Sequence, residues 1–231
     1  YVNMGATAVG TGINADVEYV KNVVRILSEV TGFNFKQSPD LVDGTRNLDS
    51  FVWLSSALKT CAVNLSKTAN DIRLMASGPK AGLAELGLPQ QQPGSSIMPG
   101  KVNPVIPEVL NQVCFQIFGN DITITKAAEA GQLELNVFEP VLFFNLFQSI
   151  EILKNGIVTF IENCLKGITA QEANCKHWVD RSVGIITALN PHIGYKNAAE
   201  IAKESIKTGT PVAELVLAKG LLTREELDII L

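Results

Sequence analysis

Two hydroxyls, an ammonium and a carboxamide are crowded into Gly94-Ser95-Ser96-Ile97-Met98-Pro99-Gly100-Lys101-Val102-Asn103-Pro104. Glycines at 94 and 100 permit positive φ, so backbone N–H groups there can converge on an anion. Ser95 and Ser96 add donors, Lys101 adds a compact positive charge, and Asn103 adds a directional amide. Pro104 and Pro107 stiffen the exit, and a helix beginning near Pro107 aims the positive end of its dipole back at the loop. A serine in such surroundings gives up its proton more readily than in water, because the N–H groups and the ammonium stabilise the alkoxide. This is a site for a small anion. The competing reading is a Ser/Gly linker carrying a solvated lysine.

The segment around these residues supports the first reading. Ser77 to Pro107 holds five of the 18 glycines and six of the 10 prolines. So long a structureless stretch in a compact domain is usually a binding loop, a lid or disorder. Disorder is poor in apolar residues, yet Ile97, Met98, Val102, Val105 and Ile106 punctuate its second half. An ordered loop is expected.

Helices must hold that loop. Ile13, Val17, Val20, Val24 and Leu27 recur at helical spacing. Phe51, Leu54, Leu58, Cys61, Leu65, Thr68 and Ile72 alternate steps of three and four, as do Phe143, Leu146, Ile150, Leu153, Ile157, Phe160 and Cys164. Such seams belong to helices that cross at shallow angles, and each is roughly 30 Å long at 1.5 Å per residue. Pro107 to Ile122 is apolar on nearly every face, which predicts a helix buried all round at the centre of an oligomer. After about Lys166 the rhythm shortens. Asn190-Pro191 reads as a break, Thr210-Pro211 as a cap with proline in the first helical position, and Thr223 to Glu226 as a capping box opening a helix from Glu225 to Leu231. The fold class expected is all-α: a long-helix bundle over 1–166 and a small C-terminal helical domain over 167–231.

Composition narrows the partners. Of 231 residues, 46% are hydrophobic and 18% charged, and the net charge of −4 comes without a Lys/Arg cluster. That argues against nucleic acid or an anionic membrane surface. The longest apolar run, Val141 to Phe147, is interrupted by Asn145, so no bilayer span is expected. Cys61, Cys114, Cys164 and Cys175 lack CxxC spacing, which disfavours zinc and redox motifs and suits reduced thiols in a cytoplasmic protein. The chain opens Tyr1-Val2-Asn3-Met4 with no leader pattern.

The run from Gly94 to Pro104 resembles the signature of the fumarase/aspartase superfamily, lyases whose eliminations yield fumarate. The resemblance extends to Gly5 through Asn14, similar to the approach to a central-bundle helix, and to Leu189 through Tyr195, similar to the small C-terminal domain. Within the superfamily, Val105 to Val109, Asn111 to Phe115, Gly119 to Asp121 and above all Ala127 to Asn136 resemble the aspartate ammonia-lyases more closely than the class II fumarases. The class II fumarases remain the alternative, as does a non-catalytic helical scaffold that keeps the loop as a relic. Retention of all four polar groups weighs against the relic.

The resemblance implies that Ser95 is the catalytic base, that Ser96 holds the β-carboxylate of a small dicarboxylate, and that Lys101 and Asn103 bind the other carboxylate. Glu108 falls where the family places a carboxylate that pairs with a histidine. The chain's own two histidines, His177 and His192, lie in the C-terminal region, away from the signature. No metal and no organic cofactor is implied. A homo-oligomer, tetrameric at full length, is implied, with each site assembled from three subunits. The family's Thr-His pair is not found in this sequence, so the chain is expected to be a C-terminal half that turns over nothing by itself.

Overall fold

In the computed structural model, which describes residues 1–92 and 102–231, the expected all-α architecture is found. The helices are α1 (Val17–Thr31), α2 (Leu41–Arg46), α3 (Asp49–Met75), α4 (Val105–Glu129), α5 (Glu139–Asn163), α6 (Glu172–Arg181), α7 (Ile186–Ile193), α8 (Tyr195–Thr208), α9 (Val212–Ala218) and α10 (Arg224–Ile230). Strand structure among the described residues consists of β1 (Leu86–Gly87) and β2 (Thr169–Ala170), antiparallel, with Leu86 opposite Ala170 and Gly87 opposite Thr169, besides one isolated bridge between Val2 and Gln37. Two compact units result, Tyr1–Asp71 with Pro104–Lys166, and Ile72–Asn103 with Gly167–Leu231.

The first unit is built on the antiparallel pair α4 and α5. α4 buries Pro107, Leu110, Asn111, Cys114, Ile117, Asn120, Asp121, Ile124 and Ala127, a stripe at three- and four-residue steps. α5 answers with Leu142, Leu146, Ser149, Leu153, Gly156 and Phe160. A Cβ on Gly156 would stand 3.3 Å from a Val113 methyl and 3.6 Å from Leu110, so a side chain there would press on the methyls of α4. Asn136 fastens the turn between them: its Nδ2 donates to the Ala127 carbonyl at 2.9 Å and its Oδ1 accepts from the Phe138 N–H at 2.8 Å. Leu48, Ile124, Ala127, Leu142 and Leu146 form the core at that end, with Phe51 set edge-on to Phe143 at 4.9 Å.

Several expectations about faces are corrected here. On α3 the buried side chains are Ser55, Ala62, Ser66, Ala69 and Ile72, while Leu54, Cys61 and Thr68 are exposed. The buried face therefore sits one residue on from much of the predicted seam, and on it Ser55 and Ser66 hydrogen-bond to α4. On α5 the buried face moves one residue back at three positions, to Leu142, Ser149 and Gly156, while keeping Leu146, Leu153 and Phe160. α4 is not buried all round within one chain, since Val109, Phe115 and Ile122 are 43, 57 and 66% exposed. α1 begins at Val17, capped by the Asp16 carboxylate, which leaves Ile13 ahead of the helix and exposed. Asn145 does not interrupt α5. By length and apolar composition the helix could cross a bilayer, with a mean hydropathy of 1.3 over its best window, yet Ser149 and Gln148 on it accept hydrogen bonds from buried Asn120.

The second unit has its own core of Leu189, Ile193, Ala198, Ile201, Val212, Leu215, Val216 and Leu227. The capping box forms as expected: the Glu226 carboxylate accepts from the Thr223 N–H at 2.8 Å, and Thr223 Oγ1 accepts from the Glu226 N–H at 3.2 Å. Two caps differ. Pro191 lies inside α7, and the helix ends at Gly194 with φ +80°, where a side chain would be strained. Pro211 itself caps α9, because the Thr210 carbonyl is taken by the Ser205 hydroxyl at 2.7 Å.

Candidate functional site

Ser95, Ser96 and Lys101 lie outside the described residues. Asn103 and Glu108 lie within them. Asn103 is half-buried in the short extended run before α4, and Pro104 follows it as the N-cap with φ −80° and ψ 55°. Pro104 has no side chain able to cap, so its carbonyl accepts from the Glu108 N–H at 3.1 Å and closes the first turn. Pro107, third in the helix, is buried and has no N–H to satisfy. α4 thus starts at Val105, earlier than the sequence suggested. Glu108 sits in the first turn, at the positive end of a 25-residue helix, where a carboxylate is favoured. That placement is the same whether or not the carboxylate takes part in chemistry.

The approach to the loop is fastened too, within the second unit. Trp178 Nε1 donates to the Leu83 carbonyl at 2.9 Å, Asn174 Nδ2 to the Ala84 carbonyl at 2.8 Å, and the Gln171 N–H to the Glu85 carbonyl at 2.8 Å. β1 then pairs with β2. A Cβ on Gly87 would meet Thr169 Oγ1 at 2.6 Å and Gln171 Nε2 at 2.8 Å, so any larger residue would have to displace those side chains. Sequence reasoning missed this strap, since two-residue strands carry no periodicity to read. From this strap the described chain runs to residue 92, and it resumes at residue 102, just ahead of α4.

Sequence reasoning also missed the polar side chains on the buried stripe of α4. Asn111 Nδ2 donates to Ser66 Oγ at 2.9 Å and to the Ser66 carbonyl at 3.2 Å. Asp121, nearly wholly buried, accepts from Ser55 Oγ at 2.8 Å and from Lys59 Nζ at 2.6 Å. Asn120 donates to Ser149 Oγ and to Gln148 Oε1, both at 3.0 Å. The available signal was their position: Asn111, Asn120 and Asp121 share the face of Leu110, Cys114, Ile117 and Ile124, and polar groups on an apolar face need partners. By contrast, Lys126 and Glu129 pair at 3.2 Å on the surface, as a solvated face would. His177 lies on α6 against Trp178, and His192 lies in the last turn of α7. Among the described residues no group of three or more metal-ligating side chains comes together.

The thiols differ sharply in setting. Burial pushes the Cys114 thiol up from 9.0 to about 11, helped by the neighbouring Cys61 and opposed by a hydrogen bond from the Ser66 backbone. Cys61 is exposed. At pH 8 an aromatic disulfide reagent is therefore expected to label Cys61 rapidly and Cys114 only on unfolding, read by mass spectrometry of peptides. The raised value also sets a pH window. Cys114 favours the folded state fully below pH 9, and this is lost as pH rises towards 11, because the unfolded thiol ionises first.

The family described as Lyase matches residues 1–119, just over half of the chain, and that described as Fumarase C C-terminus matches residues 185–231. The chain belongs to the lyase family that includes the fumarases. Among its curated relatives is an aspartate ammonia-lyase of Bacillus sp, 60% identical over 230 residues, covering 100% of this chain and 49% of that protein. Among solved structures, a fumarate lyase (delta crystallin) from Brucella melitensis matches with TM-score 0.93 and 47% identity, over 99% of this chain and 50% of that one. A class II fumarase from Schistosoma mansoni matches with TM-score 0.89 and 34% identity, over 100% and 51%. The chain spans about half the length of the curated relatives it matches.

Proposed function

We propose that this chain contributes part of the active site of an aspartate ammonia-lyase, which converts L-aspartate to fumarate and ammonia. The observation that carries the reading is the 60% identity to an aspartate ammonia-lyase across the whole of this chain, against 34% to the solved class II fumarase. Ser95 Oγ takes a proton from the carbon next to the β-carboxylate. The electron pair left behind spreads into that carboxylate as a dianionic aci form. It returns as the carbon–carbon double bond while the carbon–nitrogen bond breaks and ammonia leaves. That carbon is a very weak acid, so the barrier falls chiefly by stabilising the extra carboxylate charge. Ser96 holds the β-carboxylate, and Lys101 and Asn103 hold the other. Glu108, in the first turn of α4, supplies a carboxylate able to orient an imidazole. The chemistry calls for no metal or organic cofactor.

The reading extends to assembly and location. Val109, Phe115 and Ile122 on α4, with Trp53 and Leu54 on α3, leave apolar side chains exposed in the single chain, and such a surface favours burial against other copies. A homotetramer is proposed, with residues 1–166 as its central bundle domain and 167–231 as a small C-terminal domain. The four free cysteines support a reducing cytoplasm. The test follows fumarate absorbance in the whole protein. Fumarate is expected from L-aspartate and not from L-malate. Turnover of L-malate alone would make the protein a hydratase, and a folded protein inert to both would leave the scaffold.

A further inference from the structure

We propose that Asn111 is a positioning residue for the lyase reaction, setting through Ser66 the axial register of α4 on α3 and hence the placement of Glu108 at the head of α4; this rests on the function proposed above. Asn111 is 3% exposed and spends its amide on α3 twice, on Ser66 Oγ at 2.9 Å and on the Ser66 main-chain carbonyl at 3.2 Å. The carbonyl bond ties one helix to the backbone of the other. A second tie lies further along, where Asp121 meets Ser55 and Lys59 at 2.8 and 2.6 Å. From one tie to the next α4 advances from 111 to 121 while α3 runs back from 66 to 55, so both helices travel about 15 Å at 1.5 Å per residue. The spacing matches, and the pair acts as a two-point lock.

A lock is needed because the rest of this contact is smooth. The buried face of α3 that carries Ser66 also presents Ala62 and Ala69, small residues that give shallow relief and would tolerate a slide. Directional bonds resist it, since a displaced Asn111 would bury an amide with no acceptor. Asn111 is the tie next to the candidate site: Glu108 lies one turn before it, and Asn103 just ahead of the helix. A misplacement near 1 Å can cost a reaction on the order of 100-fold.

The experiment uses the whole protein, with kcat and KM for L-aspartate and the melting temperature measured for wild type, Asn111→Leu and Asn120→Leu. Asn120 is equally buried and tied to α5, far along α4 from the loop. Both variants are expected to melt lower. Only Asn111→Leu is expected to lose kcat, by about 10- to 100-fold, with KM changed far less. Ser66→Ala, which keeps the carbonyl bond, is expected to lose less and serves if Asn111→Leu does not fold. Wild-type kcat in the Asn111 and Ser66 variants, or an equal loss in Asn120→Leu, overturns the proposal. If wild type acts on L-malate instead, the same ratios are read with L-malate, so the substrate reading fails while the positioning is still judged. A wild type inert to both overturns both.

Discussion

Ser95→Ala in the whole protein is expected to lower kcat for L-aspartate by about 10²- to 10⁴-fold, the range by which a positioned base accelerates proton transfer. KM should change little, because the base interacts with the migrating proton in the transition state and hardly with bound substrate. The melting temperature should stay within about 2 °C, as for most single substitutions outside a core. The combination discriminates. A scaffold residue shows neither loss, and a residue that mattered for folding loses stability together with rate. Stopped assays of ammonia release and differential scanning fluorimetry on the same preparation decide it.

Leu142→Ala is expected to be the most destabilising single truncation of the bundle, by about 2–5 kcal/mol. Leu142 is fully buried in the second turn of α5, in one cluster with Leu48, Ile124, Ala127 and Leu146. Removing its isopropyl end deletes apolar contact and leaves a cavity. Its neighbours are poorly placed to fill that cavity, because Asn136 holds the α4–α5 turn to the Ala127 carbonyl and to the Phe138 amide. For a chain of this size each kcal/mol moves the melting temperature by about 2–4 °C, so a drop of roughly 4–20 °C should appear in thermal unfolding followed by circular dichroism. A shift under 2 °C would mean that this core is not packed as described.

How far the sequence could be read depended on what kind of force held each element. Local chemistry was legible. The Thr223–Glu226 capping box needs only four residues, and it formed as written. Long helices were legible as helices, because steps of three and four in Phe51 to Ile72 and Phe143 to Cys164 suit no other structure. Their packed faces were less so. Periodicity ranks positions by the size of apolar side chains, so it chose Leu54 and Cys61 over Ser55 and Ala62, while the buried face of α3 carries small residues and a hydrogen bond to α4. The Asn111, Asn120 and Asp121 ties were invisible for a related reason, since each partner is distant in sequence and an isolated Asn or Asp looks solvated. Of the candidate site, Asn103 and Glu108 stand at the start of α4, and Ser95, Ser96 and Lys101 rest on the signature alone.

The brevity of the α4–α5 turn has a kinetic consequence. Only residues 130–138 separate those helices, whereas residues 76–104 separate α3 from α4. Closing the longer loop costs about 1 kcal/mol more in chain entropy, at roughly 0.6 kcal/mol for each doubling. The hairpin of α4 and α5 should therefore assemble first and act as the template onto which α3 docks.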